Sequence, residues 1–126
     1  MELRAKALTI CEVVDQGETI SLGFEDAAGR QGVLNLSVNQ AGALVMTLPG
    51  LLELALRTRY GDQALRYAYP LASWTIEQST DATQRIITLA TSDGFSVRFA
   101  IPKDEQNVLG EALLKPYPEV RVPLAN

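Results

Sequence analysis

Apolar and polar residues alternate along several short segments of this chain, with the period of two that is typical of a half-buried β-strand. Residues 3–14 are also predicted to form a strand, although apolar residues lie on both of its faces. The segments that show the pattern are residues 19–25, 33–38, 71–78, 85–91 and 95–101. Asp93-Gly94 lies just before the last of them and predicts a hairpin with a type I′ turn, in which both central residues have positive φ. Asp26-Ala27-Ala28-Gly29 predicts a looser turn between the segments 19–25 and 33–38.

Two other segments carry apolar residues at the three- and four-residue spacing of an amphipathic helix. The apolar residues of the first are Val38, Ala41, Leu44, Val45, Leu48, Leu51, Leu52, Ala55 and Leu56, and those of the second are Val108, Leu109, Ala112 and Leu113. Ser37 and Gln40 form a capping-box signature for the first helix, and Pro49 predicts a kink or break inside it. The second helix is predicted to begin at Pro102 and to end before Lys115. We expect each helix to cover one face of a sheet.

The order of these elements repeats along the chain. Residues 3–58 and residues 71–114 both follow the order strand, strand, strand, helix. The recurring residues are Thr9-Ile10, Asp15 and Ile20, which return at an offset of 66 as Thr75-Ile76, Asp81 and Ile86. The sequence therefore predicts a single α+β domain over residues 1–126, built as two three-stranded antiparallel units that are each followed by a helix. Residues 59–70 link the halves and have room for one more strand, whereas residues 115–126 form a proline-rich tail that we expect to be extended.

The composition excludes much of the usual chemistry of active sites. The chain has 126 residues, of which 47% are hydrophobic, a formal net charge of −4, no histidine and one cysteine. Without histidine it lacks the commonest general acid–base and metal-ligating side chain, and one cysteine permits neither an intrachain disulfide nor a Cys/His zinc site. It has no glycine-rich phosphate loop and no nucleophile elbow. We therefore expect a non-enzymatic protein with no metal and no cofactor.

Single residues also carry predictions about location and core. Cys11 lies in an apolar segment, which predicts a buried thiol and a reducing compartment. The apolar run from Leu44 to Leu56 is interrupted by Pro49 and Glu53, and no signal peptide is evident, so we expect a cytoplasmic protein without a membrane-spanning segment. The chain's one tryptophan, Trp74, is predicted to anchor the core of the second sheet.

The segment of most unusual composition is residues 57–69, which contains three of the chain's four tyrosines and three arginines. Its candidate binding residues are Arg57, Arg59, Tyr60, Arg66, Tyr67 and Tyr69. Arginine beside aromatic rings can bind phosphate while the rings stack on bases or sugars, and both residue types are frequent in protein interfaces. Alternatively, the arginines complement the C-terminal end of the first helix and the tyrosines bury their rings. We favour this second, structural interpretation.

A family resemblance is carried by Leu34-Asn35-Leu36-Ser37-Val38 leading into Gly42-Ala43-Leu44, and the segment Phe95–Leu114 is compatible with it. Together with the two sheet-then-helix repeats, these residues resemble the Whirly and PUR-type single-stranded nucleic-acid-binding proteins. The resemblance implies that nucleic acid lies across exposed sheet faces and that the chains assemble as rings or dimers. The sequence departs from that pattern in its acidic pI of about 4.8, because phosphate binding normally requires a basic surface.

The functional expectation that follows is association. An open sheet with one helix still has a face or an edge to cover, and a symmetric partner is the commonest cover. We therefore expect a homo-oligomer, with a dimer as its simplest form. The alternatives are single-stranded nucleic-acid binding through residues 57–69 and a small-molecule pocket between the first helix and its sheet.

Overall fold

The computed structural model describes residues 1–117 and 121–125 and divides the chain into two units, Met1–Ala55 and Leu56–Asn126. The strands are β1 (Ala5–Val14), β2 (Thr19–Asp26), β3 (Gln31–Ser37), β4 (Arg66–Tyr67), β5 (Ser73–Gln78), β6 (Gln84–Ala90), β7 (Ser96–Pro102) and β8 (Leu124–Ala125). The helices are α1 (Val38–Tyr60) and α2 (Lys103–Leu114), and the unit boundary falls within α1. Strands that form separate sheets, combined with helices, confirm the α+β class.

The first sheet is antiparallel and has β2 at its centre, between β1 and β3. A register shift between Leu8 and Ile10 forms a bulge in β1 beside Gly23 of β2. A Cβ atom on Gly23 would lie 2.8 Å from the Thr9 hydroxyl oxygen and 3.2 Å from the Ile10 Cβ atom. The close approach of the two strands at the bulge therefore requires glycine at this position.

The turn between β2 and β3 is held by one buried carboxylate. Asp26 accepts hydrogen bonds from the amides of Ala28 at 3.0 Å and Arg30 at 2.9 Å, and from the Arg30 Nε atom at 2.8 Å. Gly29 has a φ of 81°, which a glycine adopts without steric cost. These contacts confirm the predicted turn and fix the register of β2 against β3.

α1 follows β3 with no connecting residue, since β3 ends at Ser37 and α1 begins at Val38. The predicted capping box is present: the Ser37 amide donates to the Gln40 side-chain oxygen at 3.0 Å, and the Gln40 amide donates to the Ser37 hydroxyl at 3.2 Å. The helix continues through Pro49 to Tyr60, so the predicted break does not occur. Proline removes a single amide donor, and complete helical turns on both sides maintain the helix.

The second unit contains the other three-stranded antiparallel sheet, with β6 at its centre between β5 and β7. α2 follows β7 directly and begins at Lys103, with Pro102 as its N-cap residue rather than its first helical residue. The strand for which residues 59–70 had room is β4, which pairs in parallel with β8. Residues 118–120 and 126 of the predicted extended tail lie outside the described residues.

The turn between β6 and β7 differs from the predicted type I′ turn. The Thr91 amide donates to the Phe95 carbonyl at 2.9 Å, which leaves three residues in the loop. Gly94 has a φ of 96°, but Asp93 does not have positive φ. The type I′ assignment is therefore wrong, because a three-residue loop needs one left-handed position and glycine supplies it.

The repeat of element order is present, but the duplication is incomplete. The two turn glycines, Gly29 and Gly94, are 65 residues apart, as are the residues that begin the two helices. At the predicted offset of 66, Ile20 would correspond to Ile86, yet Ile86 pairs with Glu77 on the face opposite to that of Trp74. The helices also differ, with 23 and 12 residues, and the third sheet of β4 and β8 has no counterpart among the described residues.

Candidate association surfaces

The register of the first sheet places eight apolar side chains on one face, because directly opposite residues in an antiparallel pair share a face. This surface, the first-sheet face, consists of Leu8, Cys11, Val13, Ile20, Leu22, Phe24, Leu34 and Leu36. The other face carries polar groups, among them the buried Ser21 hydroxyl, which donates to the Asn35 side-chain oxygen at 2.5 Å. The sheet is therefore amphipathic and has one face suited to a core.

The first-sheet face is not covered by any other part of its unit. Val13 is 68% exposed and Leu8 is 56% exposed, although both lie on the apolar side of the strand. Cys11 is also exposed, so the predicted buried thiol is wrong for the single chain. Burial of a residue depends on which element packs against its strand, and within residues 1–55 no element packs here.

The second sheet presents an equivalent surface. This second-sheet face consists of Trp74, Ile76, Ile87, Leu89, Val97, Phe99 and Ile101. Trp74 is 61% exposed, so the prediction that it anchors the core of the sheet is wrong for the single chain. A tryptophan exposed amid aliphatic neighbours is typical of interface hot spots rather than of a solvated surface.

α1 does not lie on the sheet that precedes it. Its apolar stripe contains Ala41, Leu44, Val45, Leu48, Leu51 and Leu52. Four of these side chains are exposed, namely Val45, Leu48, Leu51 and Leu52. The prediction that this helix covers a sheet face is therefore wrong within the single chain. α2 also follows its strand without a connecting residue and does lie partly over its sheet, so the two helices differ in placement and not in connection. The pocket predicted between α1 and its sheet has no helix to close it within residues 1–55.

The accessible surface of the chain is 10532 Å². A globular monomer of this mass exposes about 6,600 Å², and two separate globular bodies of half the mass expose about 8,000 Å² together. The chain thus exposes at least about 2,500 Å² more than compact folding accounts for, even when its units are counted separately. The one buried hydrophobic side chain among the described residues is Leu65, at 7% exposure. These are properties of a chain whose core is not completed by itself.

α2 lies over one end of the second-sheet face and leaves an apolar groove. The groove has a volume of about 350 Å³ and is lined by Ile76, Arg85, Ile87, Ile101, Gln106, Asn107, Leu109, Gly110 and Leu113. The Gln106 side-chain amide donates to the Ile101 carbonyl at 3.3 Å and links the helix to β7. Leu113 remains exposed, so the helix covers its sheet only in part.

Two of the three arginines of the 57–69 segment donate to backbone carbonyls in the loop that follows α1. The Arg57 Nε atom donates to the Leu65 carbonyl at 2.8 Å, and the Arg66 guanidinium donates to the Ala64 carbonyl at 2.9 Å. Arg57 and Arg59 lie in the last turn of α1, where a positive charge interacts favourably with the negative end of the helix dipole. This placement agrees with the structural interpretation of the segment.

The three tyrosines of the same segment lie near one another. The rings of Tyr67 and Tyr69 meet edge-on with their centroids 5.2 Å apart, and the centroids of the Tyr69 and Phe95 rings are 4.6 Å apart. Slight desolvation and the neighbouring Tyr67 raise the pKa of the Tyr69 hydroxyl, so it stays protonated at neutral pH. Tyr60 is 62% exposed at the end of α1, and it lines a cavity of about 480 Å³ together with Tyr67. Tyr67 therefore lies near both of the other predicted tyrosines, and Tyr69 also packs on Phe95.

Other kinds of site find less support. No group of three or more histidine, cysteine, aspartate or glutamate residues that would hold a metal occurs within the described part of the chain. α1 is long and apolar enough to cross a membrane by length and composition alone, although the sequence led us to expect no such segment. The same two properties describe a helix that packs along an apolar sheet.

A scan against protein-family models and searches of curated proteins and of solved structures found no match to this chain.

Proposed function

We propose that this protein acts by association with copies of itself, as a non-enzymatic homo-oligomeric module whose simplest form is a dimer. The observation that supports the proposal is the exposure of two apolar sheet faces, with Val13 near the end of edge strand β1 on one and Trp74 on the other. Each face has the alternating pattern of a buried surface. Contact of such a face with water is unfavourable, and each Å² of apolar surface that association buries stabilises the complex by about 25 cal/mol.

The size of the unsatisfied surface supports a stable partner. Obligate homodimers bury about 2,000–5,000 Å² in total, whereas crystal-type contacts bury less than about 800 Å². A surplus of about 2,500 Å² per chain corresponds to about 5,000 Å² for two chains, which is at the upper end of the obligate range. We propose a second copy of the chain as the partner, because its sheets expose the same apolar faces.

The 57–69 segment has a structural role in this proposal. Arg57 and Arg66 donate part of their guanidinium hydrogen bonds to backbone carbonyls, which leaves fewer donors for phosphate oxygens. The net charge of −4 adds a general repulsion of nucleic acid. We therefore expect no measurable binding of short single-stranded oligonucleotides, even at low salt.

Sedimentation equilibrium of the purified chain tests the proposal, over concentrations from about 1 μM to about 100 μM, which spans common dimer affinities. We expect a dimer or higher oligomer throughout, together with slow reaction of Cys11 with a thiol reagent. A monodisperse monomer in which Cys11 reacts at the rate of a free thiol would overturn the proposal. Recovery of the protein only with detergent and lipid would overturn it in favour of a membrane role for α1.

A further inference from the structure

The groove between α2 and the second sheet contains one charged side chain among aliphatic ones. Its aliphatic lining comes from both layers, namely Ile76, Ile87 and Ile101 of the sheet and Leu109 and Leu113 of the helix. Arg85 is the charged residue of the lining, and it lies on the same side of β6 as Ile87, two residues further along the strand. The groove therefore offers an apolar channel together with a single cation.

The Arg85 guanidinium has its donors available for an anion. In the part of the chain that the structure describes, it makes neither a hydrogen bond nor an ion pair with another residue. The acidic residues of α2, which are Asp104, Glu105 and Glu111, occupy helix positions that do not line the groove. A guanidinium presents its donors as a planar fork that matches the two oxygens of a carboxylate.

Gly110 leaves space on the helix side of the groove. It lies inside α2, where glycine is less favourable than alanine. A Cβ atom on Gly110 would meet no atom within 4 Å, so no neighbouring group of the chain requires glycine here. A bound molecule that runs close to the helix backbone would require it.

The two ends of the groove differ in polarity. Arg85 pairs with Ile101, whose carbonyl accepts the Gln106 side-chain amide at 3.3 Å, so Arg85 and Gln106 lie at the same end. Leu113 follows Gln106 by about 10 Å along α2. An extended chain of about eight methylene groups covers that distance. The groove volume of about 350 Å³ lies within the range of about 300–1,000 Å³ that is common for small-molecule sites.

We propose that this groove binds a linear aliphatic carboxylate of medium chain length, with its carboxylate on Arg85 and its alkyl chain along Gly110 toward Leu113. The aliphatic lining favours an alkyl chain over a planar ring, because no aromatic side chain of the groove is present to stack on one. A single guanidinium matches the single charge of a carboxylate, whereas phosphate sites commonly gather several cations.

The site differs from the pocket that the sequence predicted, because it lies at the second helix and not at the first. It also lies apart from the surface that we propose for self-association, since Trp74, Leu89 and Val97 do not line the groove. The inference goes beyond the proposed function and does not depend on it.

Equilibrium dialysis of the full chain against radiolabelled decanoate, from about 1 μM to about 1 mM, tests the site. We expect saturable binding at one site per chain. Arg85→Gln should weaken it about tenfold, because a charge-assisted pair is lost. Gly110→Leu should abolish it by filling the groove, and this variant keeps α2 because leucine favours a helix more than glycine does.

Two matched variants show whether the effects are specific. Arg98→Gln removes the same charge from the opposite face of the second sheet, where Arg98 pairs with Thr88. Ala112→Leu adds a side chain to α2 at a position that does not line the groove. Both should bind decanoate within about twofold of the wild type, and circular dichroism confirms the fold of all four variants.

Decylammonium is the control ligand, with the same chain length and the opposite charge. The net charge of −4 favours the cation in general, so a preference for decanoate has to come from a local positive group. We expect decylammonium not to compete with decanoate for the site. Competition at equal concentration would overturn the assignment of a carboxylate ligand.

The remaining outcomes also decide the inference. Equal binding by the wild type, Arg85→Gln and Gly110→Leu means that decanoate partitions onto the exposed sheet faces, and it overturns the site. Absence of binding up to about 1 mM overturns it as well. A wild type that binds no decanoate, with a Gly110→Leu variant that loses its dimer, places a second copy in the groove instead. Selective binding by a wild-type monomer supports this inference and refutes the proposed self-association, so the two fail separately.

Discussion

Replacement of Trp74 by alanine provides the most quantitative test of the second-sheet face. The side chain is 61% exposed in the chain and lies opposite Leu89, which in turn pairs with Val97. Large aromatic side chains bury 150–250 Å², so about 150 Å² of Trp74 is still available for burial by a partner. At about 25 cal/mol per Å² this area corresponds to about 4 kcal/mol for each copy. Incomplete burial and immobilisation of neighbouring side chains reduce it, so we expect the self-association constant of W74A to fall about a hundredfold.

The assay measures tryptophan fluorescence of the wild-type protein, because Trp74 is the chain's one tryptophan. Emission of the assembled protein should lie at short wavelength and shift to the red on dilution, in parallel with dissociation measured by sedimentation. Tyr117→Ala serves as the matched control, since Tyr117 is 94% exposed and lies outside both sheets. Circular dichroism confirms that W74A keeps its strands. Emission typical of solvated tryptophan at every concentration, or a W74A variant that associates as tightly as the wild type, would refute the reasoning.

Three further predictions concern the folded chain. Gly23→Ala should lower the free energy of unfolding by about 1–3 kcal/mol, because the added methyl group would lie 2.8 Å from the Thr9 hydroxyl oxygen in the bulge of β1. Gly50→Ala should raise the free energy of unfolding by up to about 1 kcal/mol, because no atom lies within 4 Å of the added methyl group. Thermal unfolding of both variants measures the contrast, and equal effects would contradict it. Asp26→Ala should cost about 2–3 kcal/mol in chemical denaturation, since a buried carboxylate that accepts three hydrogen bonds is lost; a change under about 0.5 kcal/mol would show that the turn does not depend on it. The Thr91 hydroxyl donates a hydrogen bond to Asp93 and lowers the pKa of that carboxyl. The stabilisation of the fold by this bond is complete above the ordinary aspartate pKa of about 3.9 and is lost as pH falls through the lower pKa of the folded state. Melting temperatures of wild type and Asp93→Asn, measured between about pH 2 and about pH 6, should converge in acid, and parallel curves would argue against the bond.

Local structure was largely predictable from the sequence. Period-two alternation located β2, β3 and β7 to within about two residues, a precision set by fraying at element ends. The capping box at Ser37 and Gln40 and the glycine turns depend on contacts within four residues, which the sequence displays directly. The Asp93-Gly94 turn type was missed because loop length follows from strand register rather than from the dipeptide.

The candidate surfaces were less predictable than the elements that carry them. The sequence singles out residues 57–69 for their composition, but Arg57 and Arg66 donate to backbone carbonyls. Trp74 and Cys11 were placed in a core because apolar residues are usually buried, and the structure exposes both.

The sequence by itself determined which residues form strands and helices and which side of each element is apolar, since these depend on backbone preference and on the period of the pattern. Only the tertiary structure decided what those apolar sides contact. α1 and α2 both follow their strand without a connecting residue, yet only α2 lies partly over its sheet, so the local sequence at the junction does not decide the contact. A pattern of hydrophobic positions shows that burial of a face is favourable. Whether the same chain or a second copy packs against that face depends on the three-dimensional structure.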